Sequence, residues 1–271
     1  MRLFGPRVRF PDDPTQRSYT SDLTMTIRSL LTLAAPDERR LHALLQHLPQ
    51  RARRGRPWSC SRAMRVLVAC AALRSNLTLR ELSAVFGIPK STVHRIVATV
   101  VPQLAALLPH PPLDRRWSWV LDGTLIPTRD HGRASRSKNY RWSTNAQVLI
   151  RRRDRRVLAV SAGGPGNRND PVHYRGTAIE ALCQQHRRVL ADGGYRGVRE
   201  LVTPRFRGRR ILRDQAWRSH RRRRARVEHV LARLMDWRVL RDHRRRGRHV
   251  EATIRAVAAL HNLRLELRDN S

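Results

Sequence analysis

Apolar residues in the first third of the chain recur at helical spacing. In "DERRLHALLQHLP", Leu41, Leu44, Leu45 and Leu48 fall at i, i+3, i+4 and i+7, which predicts a helix with one buried stripe. A helix is also predicted before it, over "LTMTIRSLLTLAA", and another from about Arg62 to Arg74. A fuller pattern follows in "NLTLRELSAVFGIPKSTVHRIVATVV". Thr78 and Glu81 form a capping box that starts a helix burying Leu79, Leu82, Val85 and Phe86. Gly87 ends that helix in the left-handed conformation glycine tolerates, and Pro89 suits the first turn of the next. The second helix buries Val93, Ile96, Val97 and Val100 and offers Lys90, Ser91, Thr92, His94 and Arg95 on its other face. Helix, glycine turn, and helix with polar residues near its start is what a major-groove reader requires; the periodicity alone also fits a plain helical hairpin.

The proline-rich "LLPHPPLD" (107–114) interrupts this pattern, and beyond it the period changes. "WSWVLDGTLIP", "NAQVLIRR" and "RRVLAVSAGG" read as three successive strands, with "RRRD" as a hairpin loop between the last two. After the loop "GGPGNRND", Asp170 is placed to cap a helix over "PVHYRGTAIEALCQQ" with Pro171 at its first position. "RRVLADGGYRG" supplies a fourth strand and "RRILRD" a fifth, and two helices, about 218–236 and 248–266, close the chain. The expected organisation is a mobile polar tail over 1–22, a helical domain over 23–112 with the helix-turn-helix at about 76–101, and an α/β layered domain over 113–271.

Charge then adds a partner. Fifty-six basic residues against twenty-one acidic ones give a formal charge of +35, which favours a polyanion. No apolar run approaches the ~20 residues that cross a bilayer, and the N-terminus lacks the apolar core of a secretory signal, so no membrane partner is expected. Cys60, Cys70 and Cys183 are at no metal spacing and read as thiols in a reducing compartment. "GGPGN" lacks the lysine and spacing of a nucleotide loop.

Against this cationic background three acids stand out. Asp122 is expected at the end of the first strand of the second domain and Asp192, in "VLADGGY", at the end of the fourth, where α/β sheets gather their chemistry. Glu228 lies at the edge of the stripe Val227, Val230, Leu231 and Leu234, on a helix that could be laid on the sheet. Two Mg²⁺ ions, or Mn²⁺ in their place, prefer carboxylate oxygens and together activate an attacking oxygen and neutralise a leaving one in phosphoryl transfer. Each acid also has a plain reading. Asp-Gly pairs form turns, and Glu228 can sit on the surface with Arg224 four residues before it.

The ordered set of a helix-turn-helix, "LDGT", "GGPGNRND", "LADGGYRG", "RARVEHVLARL" and "AALHNLRL" resembles the DDE transposases of the insertion-sequence-5 type, related to the Harbinger-like nucleases, over roughly residues 60 to 265. The resemblance implies an RNase H-like catalytic domain that cuts DNA at element ends and joins 3′-hydroxyls to target DNA with Mg²⁺. By it, Asp122, Asp192 and Glu228 match the acidic triad and Arg224 matches the arginine of the C-terminal signature. That signature usually carries a lysine where this chain has Met235 and a tyrosine where it has Arg221. Lys138, Arg141 and the arginines near Glu228 are expected to hold backbone phosphates. The implied partners are terminal-repeat and target DNA and further copies of the chain, in the bacterial cytoplasm beside the nucleoid. The alternatives are a non-catalytic helix-turn-helix DNA binder, either a repressor or a decayed transposase, and a structure-specific nuclease that does not join strands.

Overall fold

The helices of the first region form where the apolar stripes predict them. The computed structural model describes residues 38–49, 57–108, 116–132, 134–136, 141–186, 188–246 and 249–269. The tail predicted over 1–22, the helix over "LTMTIRSLLTLAA", most of the basic loop at 50–60, and Lys138 lie outside the described residues. Helix α1 (Glu38–His47) buries Leu44, with Leu48 just beyond it and Leu41 and Leu45 packed alongside. Helix α2 (Arg62–Ser75) is capped by Ser61, which accepts from the Met64 amide, and it ends at Asn76 in the left-handed conformation with φ 56°. Helix α3 (Leu79–Phe86) starts on the predicted capping box. Thr78 Oγ1 accepts from the Glu81 amide at 3.2 Å, while the Thr78 amide donates to Glu81 Oε2 at 2.6 Å. Gly87 closes it at φ +62°, where a side chain would be strained. Helix α4 (Lys90–Ala106) follows, with Pro89 as its N-cap rather than inside its first turn.

Beyond residue 116 a mixed sheet of the RNase H-like kind takes over. Strand β1 (Trp119–Pro127) pairs antiparallel along its whole length with β3 (Trp142–Arg151). The other edge of β3 carries β4 (Val157–Pro165) and the two-residue β2 (Ser135–Arg136). On the far side of β1, β5 (Val189–Leu190) and then β6 (Leu201–Val202) pair in parallel. Helices α5 (Asp170–Tyr174) and α6 (Ala178–Gln184) link β4 to β5, and the long α7 (Gln215–Met235) and α8 (His249–Asp269) close the chain.

Four expectations are corrected. Asp122 lies inside β1, because β3 continues the pairing past it to Pro127. The helix predicted after Pro171 splits in two at Arg175, whose extended backbone ends α5 before Thr177 caps α6. Asn169 is the N-cap of α5, and Asp170 is its first residue, turned to other partners. The segment "RRILRD" forms no strand of the main sheet. Its β8 (Arg210–Ile211) pairs only with β7 (Phe206–Arg207), and β6 takes the fifth place instead.

Alternation along the strands divides the core. Val120, Val148, Ile150 and Val160 face α7 and α8, and the same apolar cluster continues through α1 to α4. Leu121, Leu149 and Leu158 face the opposite side, against Tyr174, Ile179 and Tyr195. Helix α8 is the middle layer of the larger cluster, packed on α4 and on β4. Asn262 pins it to the sheet: its Nδ2 donates to the Val157 carbonyl at 2.8 Å and its Oδ1 accepts from the Val157 amide at 2.8 Å. Among the described residues no helix is long and apolar enough to cross a membrane.

Candidate active site

The register of β1 decides where its polar residues go. Asp122 pairs with Val148 and so points to the face on which α7 packs, while Gly123 pairs with Gln147 and faces the side of α5. Arg224 of α7 reaches over β1 and its Nη2 donates to Asp122 Oδ2 at 3.0 Å, both side chains being 15% exposed. The other oxygen, Oδ1, accepts from the Gly123 amide at 3.1 Å. Burial pushes the Asp122 carboxyl up to about 6; the Arg224 guanidinium pulls it down, Asp192 pushes it up, the Gly123 amide lowers it, and Asp170 raises it. Desolvation outweighs one ion pair because a carboxylate loses its hydration shell while Arg224 supplies a single contact.

Asp192 arrives from the end of β5, which the parallel pairing sets directly beside β1. Its Oδ1 accepts from the Gly194 amide at 2.9 Å, capping the short 3-10 turn Gly193–Tyr195. Asp170 is the acid that sequence pattern missed as a site residue. Its carboxylate accepts from Asn145 Nδ2 at 2.7 Å and packs against Gly123, where a Cβ would come within 2.6 Å of Oδ1. The neighbouring Gln147 Nε2 donates both to the Asp170 carbonyl at 2.9 Å and to the Tyr195 hydroxyl at 3.1 Å. Burial and then Asp170, Asp122 and Asp192 push the Tyr195 phenol upward, so one buried hydroxyl senses all three acids. Asp170, Asp192, Asn145, Thr124 and Gly123 line a cleft of about 880 Å³.

Glu228 is exposed on α7, one turn beyond Arg224 and so about 5–6 Å from it between Cβ atoms. Among the described residues no three His, Cys, Asp or Glu side chains are already arranged to hold a metal ion. Each of the three aspartates instead rests on a protein donor: Arg224 for Asp122, Asn145 for Asp170 and Gly194 for Asp192. The donor set nevertheless suits a hard cation. It consists of oxygens, and the buried amide oxygens of Asn145 and Gln147 have no hydrogen-bond partner.

On α4, Lys90, Ser91, His94 and Arg95 are exposed and Thr92 is partly so, with the Arg95 guanidinium stacked 4.2 Å over the Trp58 ring. Arg141 is exposed where β3 begins. Helix α7 turns Arg218, Arg221, Arg222, Arg223 and Arg226 to solvent, whereas Arg224 turns inward to Asp122. The tryptophans of the second region divide. Trp119 is buried against His186 at 3.9 Å, whereas Trp142 is only partly buried beside His131, and Trp117 is partly buried under Arg153.

Known proteins share this arrangement in sequence. Residues 117–263 match the transposase DDE domain, and residues 59–101 match the IclR helix-turn-helix domain. A protein of Streptomyces albus G assigned as the transposase of insertion sequence element IS112 is 43% identical over 220 residues, covering 79% of this chain and 84% of the relative. The DDE match begins just before β1 and runs through α7, which carries both Arg224 and Glu228, into α8, and the helix-turn-helix match runs from just before α2 into α4. With a DDE domain over more than half its length and a relative this similar over most of the chain, the chain belongs to the DDE transposases of insertion sequences.

Proposed function

We propose that this transposase cuts DNA at the ends of its element and joins the freed 3′-hydroxyls to target DNA, using Asp122, Asp192 and Glu228 as the acids that bind divalent ions. The observation that carries the reading is the parallel pairing of β5 with β1, which brings Asp192, just past the end of β5, near enough to Asp122 for its charge to push the Asp122 carboxyl upward. Glu228 is proposed as the third acid because it stands, exposed, one turn beyond Arg224 on α7, and Arg224 touches Asp122. When bound, Mg²⁺ or Mn²⁺ supplies Lewis-acid stabilisation of the phosphate and lowers the pKa of an attacking hydroxyl or water; a pair of ions fits the in-line displacement.

The chain's own groups do the rest. Asp122 and Asp192 provide negative charge in a partly dehydrated place, where it attracts a cation more strongly than in water. Arg224 holds Asp122 in a fixed rotamer and stands ready to pair with a scissile phosphate once the carboxylate takes another partner. The exposed arginines of α7, with Lys138 and Arg141, lead the DNA backbone to the cleft, and the α4 face of Lys90, Ser91, Thr92, His94 and Arg95 reads the terminal repeat. A DNA binder without chemistry would have no use for carboxylates pressed together against their own repulsion.

Supercoiled plasmid bearing the terminal repeats tests this directly. With Mg²⁺ the protein nicks and joins strands, and Asp122→Asn, Asp192→Asn and Glu228→Gln each abolish both steps. Full cleavage by Asp192→Asn protein sinks the proposal.

A further inference from the structure

We infer that Asp170 is a further cation-binding carboxylate, sharing a divalent ion with Asp192 and the amide oxygen of Asn145 on the face of β1 opposite Arg224. The inference builds on the proposed metal dependence but assigns residues outside the triad.

Four features of the cleft support it. Asp170 and Asp192 come from different loops, one after β4 and one after β5, and both line the same hollow. Asp170 is not spent on capping, since Asn169 is the N-cap of α5 and no side-chain cap bond is made there. It is held instead by Asn145 Nδ2 at 2.7 Å, and the missing side chain of Gly123 leaves the room it fills.

The fourth feature points to a ligand. Asn145 is 2% exposed and lines the cleft, yet its Oδ1 has no hydrogen-bond donor. Buried amide oxygens in folded proteins are nearly always paired, and an unpaired one on a residue that lines a cleft with two carboxylates is a site for a hard cation or for water bound to it. Nδ2 donates to Asp170 Oδ1 and, at 3.5 Å, lies near the Arg168 carbonyl, while Oδ1 has no partner, so the residue orients one ligand and supplies another.

The alternative is a purely architectural Asp170 that fastens the loop to β3. Asp170→Asn separates the two, because the amide oxygen still accepts from Asn145 while the charge is gone. Metal-free protein is titrated with Mn²⁺, and free Mn²⁺ is read by electron paramagnetic resonance, with no DNA present and no turnover required. Asp170→Asn is expected to weaken one bound Mn²⁺ by at least about tenfold, while Asp122→Asn leaves that ion in place. Binding by Asp170→Asn equal to that of the unaltered protein, with Asp122→Asn and Asp192→Asn both impaired, overturns the role of Asp170 and leaves the triad standing. The converse result, weakening only in Asp170→Asn, removes the triad's metal assignment and the shared role of Asp192 with it. Should Asp170→Asn lose its cooperative thermal transition, Asn145→Ala carries the test. It keeps every carboxylate and is expected to weaken the same ion; unchanged Mn²⁺ binding there overturns the arrangement.

Discussion

On α4, Lys90, Ser91, His94 and Arg95 stand in water, whereas Asp122 is 15% exposed beneath Arg224 and feels the charges of Asp192 and Asp170. The first region keeps its charges hydrated, in the state from which contact with phosphate releases counterions. The second concentrates like charges where water is scarce, a state that costs stability until a cation offsets it. In the proposed reading recognition and chemistry rest on opposite electrostatic designs, although α8 gives the two regions a common core. They should be separable by mutation.

The strongest way to break the comparison is Asp192→Asn. Loss of one acid is expected to lower strand cleavage by roughly 10⁴-fold, as removal of one member of a catalytic unit does, with terminal-repeat binding in gel shifts unchanged. The variant should melt no lower than the unaltered protein at pH 7, because it relieves repulsion on Asp122. A parallel loss of DNA binding would show that the two regions are one functional unit.

The segment next to the inter-region bond from Asn76 to the Asp242 carbonyl comes next. His243 is fully buried, its amide donates to the Pro127 carbonyl at 2.8 Å and its Nε2 lies 3.2 Å from Thr253 Oγ1. Burial first, then Arg245, push it down to about 4. Between that value and the ordinary 6.5, the unfolded chain binds a proton that the folded chain refuses, so stability rises with pH across this window and is complete above it. The effect is on the order of 3 kcal/mol from pH 4 to 7. Thermal melts at stepped pH should show it, and His243→Gln should flatten the slope.

Removing charge from the reading face has a smaller effect. Lys90→Ala with Arg95→Ala should weaken terminal-repeat binding by about 10- to 100-fold and reduce the salt slope by about one for each phosphate left without its basic partner. Cleavage at saturating protein should persist, which sharpens the comparison from the other side. The mildest change is Asn76→Gly. It keeps the left-handed turn at φ 56° but removes the 2.9 Å bond from Asn76 Nδ2 to the Asp242 carbonyl, at a cost of about 1 kcal/mol in urea unfolding.

These two regions also differ in how far the chain announces them. The capping box at Thr78, the stop at Gly87 and the stripe from Val93 to Val100 are local, so periodicity and capping chemistry suffice to find them. Strands β1, β3 and β4 are long enough to show their period as well. Strand β5, though two residues long, falls inside the run "RRVLADGGYRG", whereas β6 has two residues and a partner distant in sequence, so no local alternation marks it. The same holds for Asp170. Beside Pro171 it carries every local mark of a helix start, and only the placement of Asn145 and Gly123 next to it reveals another use. Arg224 is legible as a signature residue facing DNA, but its contact with Asp122 depends on how α7 crosses β1.

Gly123 gives the Asp-Gly pair a different meaning from the turn it suggests. Its backbone is ordinary strand, so nothing in the chain path demands glycine there; what the position contributes is a vacancy the size of one methyl group, filled by another residue's carboxylate. Exchanging a single hydrogen for that methyl would leave the β1–β3 pairing intact and still evict Asp170 from its seat, breaking its bond from Asn145. A change this small, in a residue with no chemistry of its own, therefore reaches the cleft as directly as deleting one of its acids.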